Sequence, residues 1–175
     1  MKALNSFGFP VLRFNFRGAG LSEGEHAAGT GEIDDVRTAL DWLEREFPLP
    51  IIFAGFSFGA AVGLRAAYAD ERVRALIALG LPAGMVPTGS GEDRVYDFAF
   101  LRTSTKPKLF VSGSRDQFAP PGKLEALVSR FADPKKLVHI EAGDHFFEGR
   151  LKEMRTAIED WLKTEVLNKT LPTNH

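Results

Sequence analysis

Short apolar segments alternate along this chain with segments of helical periodicity, and this alternation limits the fold more than any other feature. Five short segments predict strands: Pro10–Phe16, Pro50–Gly55, Val73–Gly80, Lys108–Gly113 and Lys136–Ile140. Four longer segments predict helices: Glu32–Phe47, Phe58–Ala69, Gly122–Phe131 and Glu148–Val166. Strands that alternate with helices of this length form a mostly parallel sheet with helices on both faces. The sequence therefore predicts an α/β fold, in which Pro50–Gly55 is a strand buried on both faces.

The chain length suits one domain. With 175 residues, of which 44% are apolar, the sequence predicts a single domain over residues 1–167 and a flexible tail at 168–175. The formal net charge of −1 gives no electrostatic reason to expect nucleic acid or an anionic membrane as a partner. The chain has no cysteine, which excludes disulfides and a cysteine nucleophile. It has neither a membrane-spanning apolar run nor a signal-peptide pattern, so we expect a cytoplasmic protein.

The residues Gly55-Phe56-Ser57-Phe58-Gly59 match the pattern Gly-x-Ser-x-Gly between a predicted strand and a predicted helix. A sharp strand-to-helix turn brings the flanking residues close to neighbouring backbone, where a Cβ would clash. The turn exposes the serine hydroxyl and places helix N-terminal N–H groups where an oxyanion would develop. The pattern therefore predicts Ser57 as a nucleophile and the N–H of Phe58 as an oxyanion donor, although five-residue patterns also arise by chance in glycine-rich chains.

A serine nucleophile needs a base, and the base needs a carboxylate that orients it. Asp116 and His145 each come directly after a predicted strand, so both should lie at the same edge of the sheet as Ser57. The chain order Ser, Asp, His is also the order expected for this arrangement. Asp144 is an alternative carboxylate, but it adjoins His145 and is better suited to capping its own loop. His139 lies inside a predicted strand, which favours a packed or edge position.

Four segments carry a resemblance to a known family: Leu12–Ser22 (LRFNFRGAGLS), Gly55–Gly59 (GFSFG), Gly113–Asp116 (GSRD) and Gly143–Phe147 (GDHFF). With these segments the chain resembles the α/β-hydrolase superfamily, and within it the small bacterial hydrolases. The resemblance covers most of the chain. It implies a serine hydrolase that acts on small esters or thioesters without a cofactor, with Ser57 as nucleophile, Asp116 as orienting acid and His145 as base.

The N-terminus departs from the pattern of this family. In such hydrolases two or three strands precede the Arg-Phe-Asn-Phe-Arg-Gly strand, and the loop after the third strand supplies a second oxyanion N–H. Met1–Phe7 resembles only the end of the helix that follows that loop, so we expect a shortened fold that lacks this donor. An exposed sheet edge would then invite a homodimer. This departure keeps open a non-catalytic or truncated protein with no turnover, and a peptidase, lipase or acyltransferase on the same scaffold is a further alternative.

Phenylalanines flank the predicted nucleophile and follow the predicted base: Phe56, Phe58, Phe146 and Phe147. They could form an apolar wall that binds an acyl or alkyl group of the substrate, with Phe56 and Phe146 as candidate substrate-binding residues. Core packing is the interpretation we favour for the set.

Two loop segments have weaker patterns. Leu81–Thr105 falls where this family carries its lid, and its prolines and glycines suit a short lid or a plain connecting loop. Gly18-Ala19-Gly20 lacks the third glycine of a dinucleotide fingerprint, so its loop is expected to pack beside the active site. No spacing of His, Asp and Glu indicates a metal site.

Overall fold

The computed structural model describes residues 7–84, 86–87 and 93–167. The strands in these ranges are β1 (Ile51–Phe56), β2 (Val73–Leu79), β3 (Val86–Pro87), β4 (Asp93–Arg94), β5 (Lys108–Gly113) and β6 (Lys135–Ile140). The helices are α1 (Gly31–Glu46), α2 (Phe58–Ala67), α3 (Pro121–Val128) and α4 (Leu151–Trp161), with a 3-10 turn at Ala99–Arg102 and a π-helical segment at Leu162–Leu167. Strands β1, β2, β5 and β6 form a parallel sheet in that spatial order, and β3 pairs antiparallel with β4. The predicted α/β fold is confirmed.

Apolar side chains of the sheet point alternately to two helix layers. On one face, Leu76 and Ala78 of β2 lie in a cluster with buried residues of α1, α2 and α3. On the other face, Ala75 and Ile77 lie with buried residues of α4 such as Trp161. Because both faces of the central strands are covered, these strands carry almost continuous apolar sequence. All four strands run in the same direction, so the loops that follow them meet at one edge.

The predicted strand at Pro10–Phe16 is wrong. This segment has no strand conformation and pairs with no strand among the described residues. Its aromatic side chains pack against other rings. The ring of Phe16 packs edge-on against Phe58, with centroids 5.6 Å apart, and Phe14 packs against Phe16. An alternating sequence becomes a strand only where a neighbour satisfies its backbone groups. Here side-chain contacts with α2 position the segment instead.

Strand β1 is an edge strand, which corrects the prediction that it is buried on both faces. Of its six residues only Ile51 is buried, and Ala54 and Phe56 are exposed. No strand in the described ranges pairs with its outer side. An apolar run does not by itself distinguish a central strand from an edge, and this edge lacks the charges carried by the opposite edge at Lys135 and Lys136. The homodimer stays a prediction.

The remaining helix boundaries differ from the predictions by a few residues. Helix α4 begins at Leu151 rather than Glu148, because Phe147 and Gly149 have positive φ values of 56° and 66° and interrupt a helix.

Of the candidate lid Leu81–Thr105, residues 85 and 88–92 lie outside the described ranges, as do 1–6 and 168–175. The described part of that segment contributes buried side chains to the core, including Leu101. None of the helices in the described part of the chain has the length and apolar character that crossing a membrane requires.

Candidate active site

Ser57 lies in a tight turn between β1 and α2. Its backbone has φ 50° and ψ −119°, a conformation that a residue with a Cβ adopts only under strain. Gly55 permits the turn, because a Cβ at this residue would lie 2.6 Å from the Cα of Ala60. A Cβ at Gly59 would meet only Phe16, at an ordinary 3.7 Å. The predicted steric reason for glycine is therefore right for the first glycine of the motif and wrong for the second.

The loops that carry Asp116 and His145 touch at the ends of β5 and β6. The N–H of Arg115 donates to the carbonyl oxygen of Gly143 at 2.9 Å. This approach requires Gly113, because a Cβ there would overlap the carbonyl oxygen of Gly143. Two loops that are far apart in sequence are thus held in direct backbone contact. Their contact fixes the distance between the carboxylate and the imidazole.

One hydrogen-bonded chain joins the three predicted polar residues. Nε2 of His145 lies 2.9 Å from Oγ of Ser57, and Nδ1 lies 2.9 Å from Oδ2 of Asp116. The imidazole and the carboxylate are almost fully buried, at 5% and 2% exposure. Asp144, the alternative carboxylate, accepts a hydrogen bond from the N–H of Glu148 and caps its own loop. The arrangement can pass the Ser57 proton to an imidazole that a buried carboxylate orients.

Backbone N–H groups fix the orientation of the Asp116 carboxylate. Its Oδ1 accepts hydrogen bonds from the N–H groups of Phe118 at 2.9 Å and Ala119 at 3.1 Å. Its Oδ2, which faces the imidazole, also accepts one from Oγ of Ser112 at 3.3 Å. No sequence pattern marks Ser112, whose hydroxyl lies on a strand and belongs to no motif. With both oxygens engaged, the carboxylate has little freedom to turn away from the imidazole.

The predicted oxyanion donor lies at the start of α2. Phe58 is the first residue of that helix, and a first helical residue has no partner for its N–H within the helix. The N–H groups of Ala60 and Ala61 donate to the carbonyl oxygen of Ser57, which closes the first turn. The helix dipole adds to the attraction that this N-terminus exerts on negative charge. Within the described ranges, no group of three or more His, Asp or Glu side chains is placed to hold a metal ion.

Three phenylalanine rings surround the imidazole of His145. The ring centroids of Phe118, Phe56 and Phe146 lie 4.7, 5.0 and 5.2 Å from the imidazole centroid. Phe146 is 67% exposed and Phe56 is 39% exposed, whereas the adjacent Phe147 is buried. Core packing, the favoured interpretation of these phenylalanines, therefore describes Phe147 but not Phe56 or Phe146. Phe118 was not among the predicted residues, although it follows Asp116 by only two positions.

The glycine-rich loop lies beside the turn at Ser57, as its sequence suggested. The His26 ring packs against Phe58 with centroids 5.3 Å apart, and its Nδ1 lies 2.7 Å from Oε1 of Glu32. Glu32 is fully buried and accepts hydrogen bonds from the N–H groups of Ala27 and Gly29, both at 2.8 Å. Burial alone would raise the pKa of Glu32, but these hydrogen bonds hold it below its usual value. Glu32, which fixes the loop against the site, was not among the predicted residues.

Several known proteins resemble this chain in sequence and fold. A family model described as an alpha/beta hydrolase domain matches residues 1–170. The structure of an α/β serine hydrolase homologue from Coxiella burnetii is similar, with 36% identity and a TM-score of 0.79, over 92% of this chain and 73% of that one. A second structure, an α/β serine hydrolase without lid from Xanthomonas campestris, has 32% identity and a TM-score of 0.79, over 93% of this chain and 69% of that one.

Curated relatives are also longer than this chain. An uncharacterised protein of Rickettsia prowazekii is 31% identical in an alignment 170 residues long, which covers 93% of this chain and 68% of that protein. The chain spans about two thirds of the length of the curated relatives it matches. The similarity therefore covers nearly all of this chain and only part of each relative.

Proposed function

The chain belongs to the α/β-hydrolase family, and on that premise we propose that it is a serine hydrolase that cleaves small carboxylic esters or thioesters through an acyl-enzyme. The observation that carries the proposal is the hydrogen-bonded chain from Ser57 through His145 to Asp116. The strained backbone of Ser57 and the burial of His145 and Asp116 also support the proposal. The similar protein of Xanthomonas campestris is described as an α/β serine hydrolase and that of Coxiella burnetii as a homologue of one, which favours the same reaction class here.

In the proposed first half-reaction, Oγ of Ser57 forms a bond to the carbonyl carbon while its proton moves to Nε2 of His145. Asp116 accepts the Nδ1–H hydrogen bond, which selects the productive tautomer and stabilises the imidazolium that forms. The N–H of Phe58 donates to the oxyanion. When the tetrahedral intermediate collapses, the bond to the leaving oxygen or sulfur breaks and Nε2 gives its proton to that atom.

In the second half-reaction, water replaces the leaving group. His145 takes a proton from the water, whose oxygen attacks the acyl carbon of the ester on Ser57. Collapse of the second intermediate releases the carboxylic acid and returns the proton to Oγ of Ser57. Phe146, which is largely exposed beside the buried imidazole, is available for contact with the substrate.

Labelling with a fluorophosphonate tests the nucleophile. The probe forms a covalent bond only with an activated serine, so intact-mass spectrometry should show one adduct on the parent and none on Ser57→Ala. Ser129→Ala is the matched control: Ser129 is exposed and its hydroxyl donates to the carbonyl of Ala126, so this variant should be labelled like the parent. Circular dichroism checks that all three proteins are folded.

Hydrolysis of acetate and butyrate esters, and of the matching thioesters, then defines the reaction. We expect turnover by the parent and by Ser129→Ala, and its loss in Ser57→Ala. A folded parent that takes no label and cleaves no substrate would overturn the proposal and favour a fold without turnover. Equal labelling of parent and Ser57→Ala would overturn the assignment of the nucleophile.

A further inference from the structure

Two exposed aromatic rings lie beside the imidazole of His145 and are not needed to hold its loop. Phe146 directly follows His145 and is 67% exposed, whereas Phe147 is 2% exposed and packs among core residues. Phe56, 39% exposed, lies 5.9 Å from Phe146 between ring centroids. Phe147, and not Phe146, therefore anchors the loop. The two exposed rings form an apolar surface next to the group that moves the proton.

The chemistry of the reaction determines which part of a substrate meets this surface. Nε2 of His145 must give its proton to the leaving oxygen or sulfur, so that atom lies within hydrogen-bond distance of the imidazole. The group attached to the leaving atom then continues past the imidazole. The acyl carbonyl oxygen points instead toward the N–H of Phe58, at the start of α2. Rings packed against the imidazole therefore lie on the leaving-group side of the scissile bond.

We propose that Phe146 and Phe56 bind the leaving group, and that the preferred substrates are esters or thioesters of apolar, preferably aromatic, alcohols or thiols. This inference rests on the proposed serine hydrolase function and narrows its substrate class. An aromatic leaving group can stack or pack edge-on with both rings, because offset and tilted ring pairs are favourable at the 5–6 Å spacings seen among Phe56, Phe146 and His145.

A leaving-group role has a kinetic consequence that an acyl-binding role does not have. The leaving group departs before the acyl-enzyme is hydrolysed, so it is absent from the second half-reaction. Loss of the Phe146 ring should therefore slow acylation by apolar leaving groups and leave hydrolysis of the acetyl-enzyme unchanged. A ring that bound the acyl group would instead affect both half-reactions and would respond to acyl chain length.

The test compares benzyl acetate with ethyl acetate, whose alcohols are of similar acidity, so that their relative rates reflect binding of the leaving group. Phe146→Ala should lower kcat/KM for benzyl acetate about fivefold and for ethyl acetate less than twofold. Phe146→Trp, which keeps an aromatic ring, should retain most of the benzyl preference. Leu151→Ala is the matched control, since Leu151 is also an exposed apolar side chain, at 60%, and should leave both values unchanged.

Two further measurements separate the outcomes. The deacylation rate of the acetyl-enzyme and the ratio of ethyl butyrate to ethyl acetate hydrolysis should both be the same in the parent and in Phe146→Ala. Equal loss for both acetates, a changed acyl-length ratio or slower deacylation would overturn the leaving-group assignment while the parent stays a Ser57-dependent esterase. Absence of Ser57-dependent turnover in the folded parent would overturn the proposed function and this inference together.

Discussion

Oδ2 of Asp116 lies 2.9 Å from Nδ1 of His145, although 29 positions separate the two residues in the chain. The carboxylate adjacent to His145 in sequence, Asp144, hydrogen-bonds to the N–H of Glu148 instead. Sheet geometry rather than sequence proximity therefore pairs the imidazole with its carboxylate. The pairing depends on the contact between the loops after β5 and β6.

Replacement of each carboxylate by an amide, Asp116→Asn and Asp144→Asn, should show which of the two acts on the imidazole. At Asp116, the amide keeps the size of the side chain but removes the charge and favours the wrong imidazole tautomer, so kcat should fall about a thousandfold or more. Asp144→Asn should change kcat less than twofold. Steady-state hydrolysis of a small ester by both folded variants measures the difference. A severe loss in Asp144→Asn together with an active Asp116→Asn would refute the pairing.

Alanine at Gly55 should destabilise the fold, whereas alanine at Gly59 should not. The new Cβ at Gly55 would lie 2.6 Å from the Cα of Ala60, and relief of such overpacking typically costs about 1–3 kcal/mol. At Gly59 the new Cβ would make one ordinary contact, and alanine is the better helix former. Urea unfolding of both variants gives the free energies of unfolding. Equal destabilisation by the two substitutions would show that the turn constrains both glycines.

The tight turn at Ser57 and the proximity of Ser57, Asp116 and His145 could be predicted from the sequence, because each residue follows an apolar run that forms a strand. The true conformation of Pro10–Phe16 and the exposure of β1 could not be predicted in this way. Both depend on which strands lie next to them in the sheet. An alternating or apolar sequence is equally compatible with a paired and an unpaired edge. The neighbour of a strand is set by the whole topology and not by its own residues.

The supporting residues of the site were missed for a different physical reason. Glu32, Ser112 and Phe118 each act through contacts formed only after folding: with loop N–H groups, with a carboxylate oxygen and with an imidazole ring. None of these contacts has a fixed spacing in sequence. A glutamate on a helix, a serine on a strand and a phenylalanine in a loop each occur commonly in other roles. Only the assembled fold distinguishes these roles.

Glutamine at Glu32 should loosen the loop beside the turn at Ser57. Two N–H groups would lose a charged acceptor in a fully buried position, which should lower the free energy of unfolding at pH 7 by about 1–3 kcal/mol. The pKa of Glu32 is lower in the folded protein than its ordinary 4.5, so the folded state gains stability from this carboxylate above pH 4.5. That gain is lost as the pH falls through the folded-state pKa.

Urea unfolding of the parent and Glu32→Gln at several pH values from 7 down to about 3 measures this effect. The stability difference between the two proteins should be largest at neutral pH and should shrink toward the acid end. Glu25→Gln is the matched control, because Glu25 lies in the same loop and is exposed. If the difference between parent and Glu32→Gln grew as the pH fell, the carboxylate would not be held in its charged form.

Because Lys108 is buried, the free energy of unfolding should rise with pH in the alkaline range. Its side chain is fully buried at the start of β5, and its Nζ donates to the carbonyl oxygens of Ser104 and Lys106, both at 2.6 Å. Burial, with a smaller contribution from the charge of Lys135 opposed by Asp133, lowers the pKa of Lys108 from 10.5 to about 8. The neutral amine still has two N–H donors, one for each carbonyl, so both hydrogen bonds survive deprotonation.

Between pH 8 and pH 10.5 the unfolded chain therefore binds more protons at Lys108 than the folded protein does. The free energy of unfolding should rise with pH across this window, by up to about 1.4 kcal/mol per pH unit from this group. Lys108→Met removes the titrating amine, so the variant should lack this rise, even though two unpaired carbonyls lower its stability throughout. Lys136→Met, at an exposed lysine of β6, should keep the slope of the parent. Equal slopes for the parent and Lys108→Met in urea unfolding would show that the buried amine keeps an ordinary pKa.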